Sequence, residues 1–284
     1  MESLKILKRR IRTVSSTMQL TRAMELVSAA KLRKAQTRLV SSRPYATKMQ
    51  TILENLSLAS TALTHPLFEK REVKNKGLVI ITSDRGLCGS YNVNIFRKAE
   101  EYLLSEPKDK VKLILIGKKG LYYYRKKPWE IRLKYLDLSG RLEFNKVKEI
   151  TSNLVSLFLN GEVDEILLLY TRFVSTASYR VILDKFLNIE KGTEEQKSYL
   201  EYIFEPSAEK LFDELLPRYC LTRIQIALAE AFASEQGSRM IAMGAATRNA
   251  EEMIENLTLL RNKARQSAIT KEMVEITSGV EALK

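Results

Sequence analysis

The chain has 284 residues, 45% of them apolar, enough for a sizeable core in one large domain or two ordinary ones. Its formal net charge is +13, with 47 Lys and Arg against 34 Asp and Glu. A single histidine, His65, and two distant cysteines, Cys88 and Cys220, argue against metal chemistry and a disulfide framework, and point to a reducing compartment. The positive excess is unevenly placed. Residues 1–43 hold eleven Lys or Arg and two acids, Glu2 and Glu25, whereas residues 218–284 hold nine basic and eight acidic residues. An electrostatic partner is therefore expected at the first segment, and nucleic acid, anionic lipid or an acidic protein would each suit a basic face. The longest apolar runs, Leu113–Ile116 and Ile166–Tyr170, fall far short of the ~20 residues that cross a bilayer. An Arg-rich, acid-poor start also fits a transit peptide, but the pattern continues unbroken to Arg43 and takes part in a helical repeat.

In chain order, residues 1–43 lack proline, and no glycine precedes Gly77, so the first segment reads as one continuous helix. Leu4, Leu7, Ile11, Val14 and Met18 step by three and four, the spacing of a coiled-coil seam. The phase then shifts to a narrower stripe at Ala23, Val27 and Ala30. Met49, Ile52, Leu56, Ala59 and Leu63 suggest a further helix leading into the middle of the chain. His65, before Pro66, reads as a structural loop residue. Strands are expected at Gly77–Thr82, Val111–Ile116, Ile131–Leu138 and Glu165–Phe173, with edge strands at Val181–Ile189 and Tyr199–Phe204. Helices at Asn92–Leu104 and Asn145–Leu159 alternate with them, which implies a mostly parallel sheet.

After Pro217 no proline occurs, and at ~1.5 Å per residue residues 218–284 could span roughly 100 Å. Met240, Met243, Thr247, Ala250, Ile254, Leu257, Arg261, Ala264 and Ala268 hold a heptad register with small residues, suited to close approach of a partner helix. The fold class expected is α/β: a long antiparallel coiled coil of the N- and C-terminal helices plus a Rossmann-like domain. The divisions are 1–65 for the first and entry helices, 66–206 for the α/β domain and 207–284 for the last helix.

Ser83–Asn92 (SDRGLCGSYN) follows a strand, where a nucleotide phosphate can sit. Neither GxxxxGK[ST] nor GxGxxG is present, however, and Gly117–Gly120 (GKKG) lacks flanking phosphate-binding residues. The structural reading is a glycine-bearing turn with Asp84 and Arg85 on the surface. No nucleophile, base and orienting group stand close together in sequence. A basic coiled-coil nucleic-acid binder is the rival reading, but residues 1–43 contain no aromatic side chain for base stacking.

Three segments together resemble the γ subunit of the F-type ATP synthase. They are Ile11–Ala35, with the family's T-x-A-M-x-x-V-x-A-x-K-L pattern at Thr21–Leu32; the SDRGLCG loop at Ser83–Gly89, followed by Asn92; and Ser234–Gly279, with SEQGSRMIAMGAATRNA and NKARQSAITKEMVEITSG. The resemblance covers essentially the whole chain, more loosely in the middle, and no cysteine-bearing insert of the chloroplast kind is present. It implies a non-catalytic rotor, one copy per complex and without a cofactor. Its paired helices would run through a ring of three α and three β subunits, and its middle domain would touch the ε subunit and the c-ring. Ion flow, of protons or sodium, would turn the ring and the stalk together, coupling rotation to ATP synthesis or hydrolysis on β. Such a chain is peripheral to the membrane, at the cytoplasmic face of the bacterial inner membrane, and binds no nucleic acid.

Carried over position by position, the resemblance places Met24 and the basic residues Arg9, Arg10, Arg12, Arg22, Lys31, Arg33 and Lys34 against the acidic lever of β. Asp84, Arg85, Leu87 and Cys88 form a loop facing β, and Arg265, Gln266, Thr270 and Glu272 meet β along the C-terminal helix. Ile276 and Val280 would sit in an apolar sleeve. Tyr199, Glu201, Tyr202 and Glu205 would lie near the c-ring and ε.

Overall fold

A computed structural model of the chain describes residues 4–59, 65–69, 71–138, 143–176, 178–189 and 208–281. The strand expected at Tyr199–Phe204 and the four candidate residues Tyr199, Glu201, Tyr202 and Glu205 lie outside these, as does the side chain of Val280. Stretches poor in helix breakers form the two longest elements, α1 over Leu4–Ala59 and α5 over Ala208–Glu281. Between them come β1 (Lys76–Ile81), α2 (Tyr91–Leu104), β2 (Val111–Ile116), α3 (Lys118–Tyr124) and β3 (Glu130–Tyr135). They are followed by α4 (Phe144–Leu159), β4 (Glu165–Phe173) and β5 (Tyr179–Leu187).

Two expectations about the helices are corrected. Pro44 lies inside α1 and Pro217 inside α5, so the helix read before Pro44 and the one read after it are a single element. Each proline removes one N–H donor, and both occupy exposed positions. A missing rung on the solvent side is tolerable there, because a helix wrapping a core already lengthens its outer hydrogen bonds. The second correction concerns the seam of α1. Ala23, Val27 and Ala30 are exposed, and the phase does not shift. Buried or half-buried positions continue in unbroken three-and-four steps through Thr21, Glu25, Ser28, Leu32, Ala35, Leu39, Ser42, Ala46, Met49 and Leu53. The polar members hid the continuation.

The chain divides into two compact units, one of residues 1–28 with 239–284, the other of residues 29–238. In the larger unit the sheet order is β3-β2-β1-β4-β5. The first four strands are parallel, and β5 returns antiparallel to β4. The order of the parallel strands is that of a Rossmann-type half. Parallel strands need both faces covered, and β1 and β2 are accordingly near-continuous apolar runs. One face buries Val79, Ile114, Ile166 and Leu168 under α4, with Met49 and Leu53 of α1 and Phe212, Leu216, Ile224 and Leu228 of α5. The other buries Leu78, Ile80, Leu113 and Leu115 under Tyr91, Ile95, Ala99 and Leu103 of α2 and Tyr124 of α3.

The smaller unit is a helix pair. Thr21 lies beside Thr247, with Oγ1 atoms 2.9 Å apart. A Cβ added at Gly244 would stand 2.9 Å from Glu25 Oε1, so rising numbers on α1 meet falling numbers on α5 and the pair is antiparallel. Leu7, Ser28, Met243, Thr247 and Ala250 are buried in it. Ala268, expected in the seam, is exposed, as is every described side chain onward to 279.

Candidate functional site

The loop after β1 is built from its own polar groups. Ser83 N donates to Asn92 Oδ1 at 3.1 Å, and Asn92 Nδ2 donates back to Ser83 Oγ at 2.7 Å, clamping the loop onto the first turn of α2. Ser83 Oγ donates to the Arg85 carbonyl at 2.7 Å. Leu87 and Gly89 adopt φ of 61° and 56°, the left-handed region that glycine enters freely and leucine only at a cost in strain. That backbone holds the Leu87 side chain 60% exposed. Ser238 on α5 donates to the Cys88 carbonyl at 2.6 Å, and Tyr91 Oη to the Ala231 carbonyl at 3.1 Å, which fixes the loop to the C-terminal helix.

The four candidate residues of this loop are not equivalent. Arg85 and Leu87 are exposed. Asp84, expected on the surface, is half-buried, and its Oδ1 accepts from the backbone N–H groups of Lys118 at 3.1 Å and Asp137 at 3.2 Å. A carboxylate there satisfies donors at the start of α3 and after β3. Cys88 is 3% exposed, and its sulfur lies 3.2 Å from Asn92 Nδ2, inside the loop.

The glycines of GKKG serve packing. Thr82 Oγ1 donates to the Ile116 carbonyl at 3.0 Å and accepts from Gly120 N at 2.9 Å. A Cβ at Gly117 would stand 2.2 Å from the Thr82 carbonyl oxygen and one at Gly120 3.0 Å from Thr82 Oγ1, so close approach of Thr82 accounts for both glycines.

On the helices, Arg9, Arg10, Arg12, Arg22, Lys31, Arg33 and Lys34 are all exposed, and Met24 is half-buried. Arg265, Gln266, Thr270 and Glu272 are exposed on α5. Near them Ile269, Met273, Val274 and Ile276 are 49–62% exposed, a run of large apolar side chains with no cover among the described residues.

Three further ionisable groups lie inside the sheet unit. His65 Nδ1 accepts from Leu67 N at 3.1 Å and so caps the 3-10 turn Pro66–Phe68. Burial lowers its pKa, against a smaller raising effect of Asp213. Glu230 on α5 is 5% exposed and pairs with Arg43 of α1 at 3.1 Å and Arg172 of β4 at 3.8 Å. Burial still pushes its pKa up, because the two arginines only partly offset desolvation. Burial also pushes the Cys220 thiol up to about 12. Sequence reading missed Glu230 and Ser238: a lone acid or serine in a helix carries no motif, and only the fold supplies their partners.

Among the described residues no helix is long and apolar enough to cross a membrane. A protein-family model described as ATP synthase matches residues 3–283. The ATP synthase gamma chain of Protochlamydia amoebophila is 44% identical over 285 aligned residues, covering all of both chains. That of Desulfitobacterium hafniense is 45% identical over 284, again covering both completely. Among solved structures, a chain from the central stalk and c-ring of the Tetrahymena thermophila mitochondrial ATP synthase has a TM-score of 0.62 at 26% identity, covering 80% of this chain and 99% of that one. A chain from the Euglena gracilis mitochondrial ATP synthase (its OSCP, F1 and c-ring assembly) shares the fold with a TM-score of 0.73 at 18% identity, covering 99% of this chain and 94% of that one. By full-length matches at this level, the chain belongs to the ATP synthase gamma chain family.

Proposed function

We propose that this chain is the central rotor stalk of an F-type ATP synthase, coupling rotation of the membrane c-ring to ATP synthesis or hydrolysis on a ring of α and β subunits. The observation that carries the mechanism is the end of α5. From 268 to 279 every described side chain is exposed, four large apolar ones among them, so this end is suited to a sleeve supplied by other subunits. The chain performs no catalysis itself. It contributes contacts that differ among the β subunits at each angle, and such differences in contact energy are what coupling requires.

In this reading Met24, the seven basic residues of α1 and the Arg85–Leu87 tip face β, with Asp84 and Cys88 supporting the tip from beneath. Arg265, Gln266, Thr270 and Glu272 meet β further along α5, and Ile276 and Val280 enter the sleeve. Tyr199, Glu201, Tyr202 and Glu205 belong to the foot beside ε and the c-ring. Functionally, residues 1–65 and 207–284 are the shaft and residues 66–206 the foot. The complex sits at the cytoplasmic face of a bacterial inner membrane, and this subunit is peripheral to it. Exposed ion pairs are worth only ~0–1 kcal/mol each, which suits a part that must break and remake its contacts at every step.

Reconstitution tests the reading. The chain is mixed with the α and β subunits of its own organism and ATP hydrolysis is assayed. A stable complex whose activity depends on this chain is expected. Equal turnover by α and β alone would overturn the assignment.

A further inference from the structure

We propose that Thr21, Glu25, Gly244 and Thr247 form a register key, which fixes how far along each other the two helices of the pair are placed. Most of the seam around them is apolar or small and would pack acceptably at several offsets. These four positions would not.

Thr247 is 6% exposed, and Thr21 is half-buried. Thr21 Oγ1 lies 3.0 Å from the Met18 carbonyl and Thr247 Oγ1 2.9 Å from the Met243 carbonyl, while the two oxygens are 2.9 Å apart. Two hydroxyl protons serve three contacts, so one hydroxyl gives up its own helix carbonyl to donate across the seam. That exchange works only where a second hydroxyl stands opposite. One step further along, Glu25 fills a notch that exists because residue 244 has no side chain. A Cβ there would stand 2.9 Å from Glu25 Oε1 and 3.2 Å from its Cδ. Glycine weakens a helix interior, so its place opposite the Glu25 carboxylate is informative.

The alternatives are poor. A slip of one heptad shifts the helices by about 10 Å. In one direction Thr21 would meet Ile254 and Glu25 would approach Glu251; in the other, Glu25 would find Gly237, but Thr21 would meet Met240, so there the threonine pair alone opposes the slip. Each leaves a hydroxyl without its cross-seam partner, and the first also brings two carboxylates together. The polar seam residues therefore act against wrong offsets, as a single buried asparagine does in a parallel coiled coil. In the helix pair, the offset decides which residues of α1 and α5 share one face.

Cysteine cross-linking in the full-length chain tests this, since both native cysteines are buried. Met18→Cys with Ala250→Cys reports the observed offset. Met18→Cys with Met243→Cys, or with Leu257→Cys, reports a slip either way. With the key intact, only the first pair should close under mild oxidation. In a Thr21→Val, Glu25→Leu background at unchanged helix content, the slipped pairs should rise at least tenfold at the expense of the first. Thr21→Ser should restore the single offset when Glu25 is kept. If the double variant loses helix content, Gly244→Leu decides by the same readings, because it fills the notch with a good helix former. Continued closure of the first pair alone would overturn the proposal. So would loss of all three cross-links at full helix content, which would mean that the key holds the helices together and does not set their offset.

Discussion

Gly117 lies so close to Thr82 that a methyl group on Gly117 would stand 2.2 Å from the Thr82 carbonyl oxygen. The residue also has φ of 99°, outside the range comfortable for L side chains. Gly117→Ala should therefore destabilise the sheet unit by about 3 kcal/mol or more, the sum of a clash and backbone strain. Gly161 provides the control, with φ of 72° and nothing within 4 Å of an added Cβ. Gly161→Ala should lose only about 1 kcal/mol. Urea melts of the two variants check the contrast, and equal losses would refute the packing argument.

Glu230 should make stability fall as pH rises through its raised folded pKa. Its folded pKa lies above 4.5, so the folded chain retains a proton where the unfolded chain has lost it. That contribution is complete below pH 4.5 and disappears as pH climbs through the folded value. Glu230→Gln should flatten this part of the profile. Its cost at neutral pH should be small, within about 1 kcal/mol, because Arg43 and Arg172 are 48% and 52% exposed and regain water. A profile unchanged by the substitution would show that another group titrates there.

His65 has the opposite sign. Its folded pKa is lowered, and only the unprotonated Nδ1 can accept from Leu67 N. The contribution is present above pH 6.5 and is lost as pH falls through the folded value. His65→Asn should keep the cap and abolish this dependence, while His65→Ala should cost about 1 kcal/mol at neutral pH. Thermal melts at several pH values separate the two variants.

Ala250 is 8% exposed in the seam of the helix pair. Ala250→Trp should overpack that seam and destabilise the pair by about 2 kcal/mol. The loss should appear as reduced helical circular dichroism at an early point in the thermal melt, and as weaker assembly with α and β. Normal helicity together with normal assembly would refute it.

The sheet was legible wherever burial dictates composition. Strands β1, β2 and β4 are apolar runs because both their faces are covered, and their limits fall within a residue of those read from sequence. What stayed hidden depends on neighbours distant in sequence. The seven-residue helix α3 has no expectation in the sequence reading, because Gly117 before it and Gly120 within it, both in close approach to Thr82, interrupt the local helical pattern. Pro44 read as a helix end because its harmlessness depends on which way it faces. Thr21, Glu25 and Ser28 broke the apolar stripe, and their place in the seam is visible only with Thr247 and Gly244 beside them. At the loop, the inward turn of Asp84 needed the donors of Lys118 and Asp137 to be located.

The core under one face of the sheet draws on Met49 and Leu53 near the start of the chain and on Ile224, Leu228 and Ala231 near its end. A ribosome making this protein therefore releases every strand before it releases the last wall of their core. Until residue 231 has emerged, the apolar face of β1 and β4 has only part of its cover, a state open to wrong association. Truncated translation products ending within the sheet should be insoluble clients of chaperones or proteases. The two ends of the gene are in this sense bound to one folding event, and the domain between them is not a module that can be cut out at the helix boundaries and expected to fold.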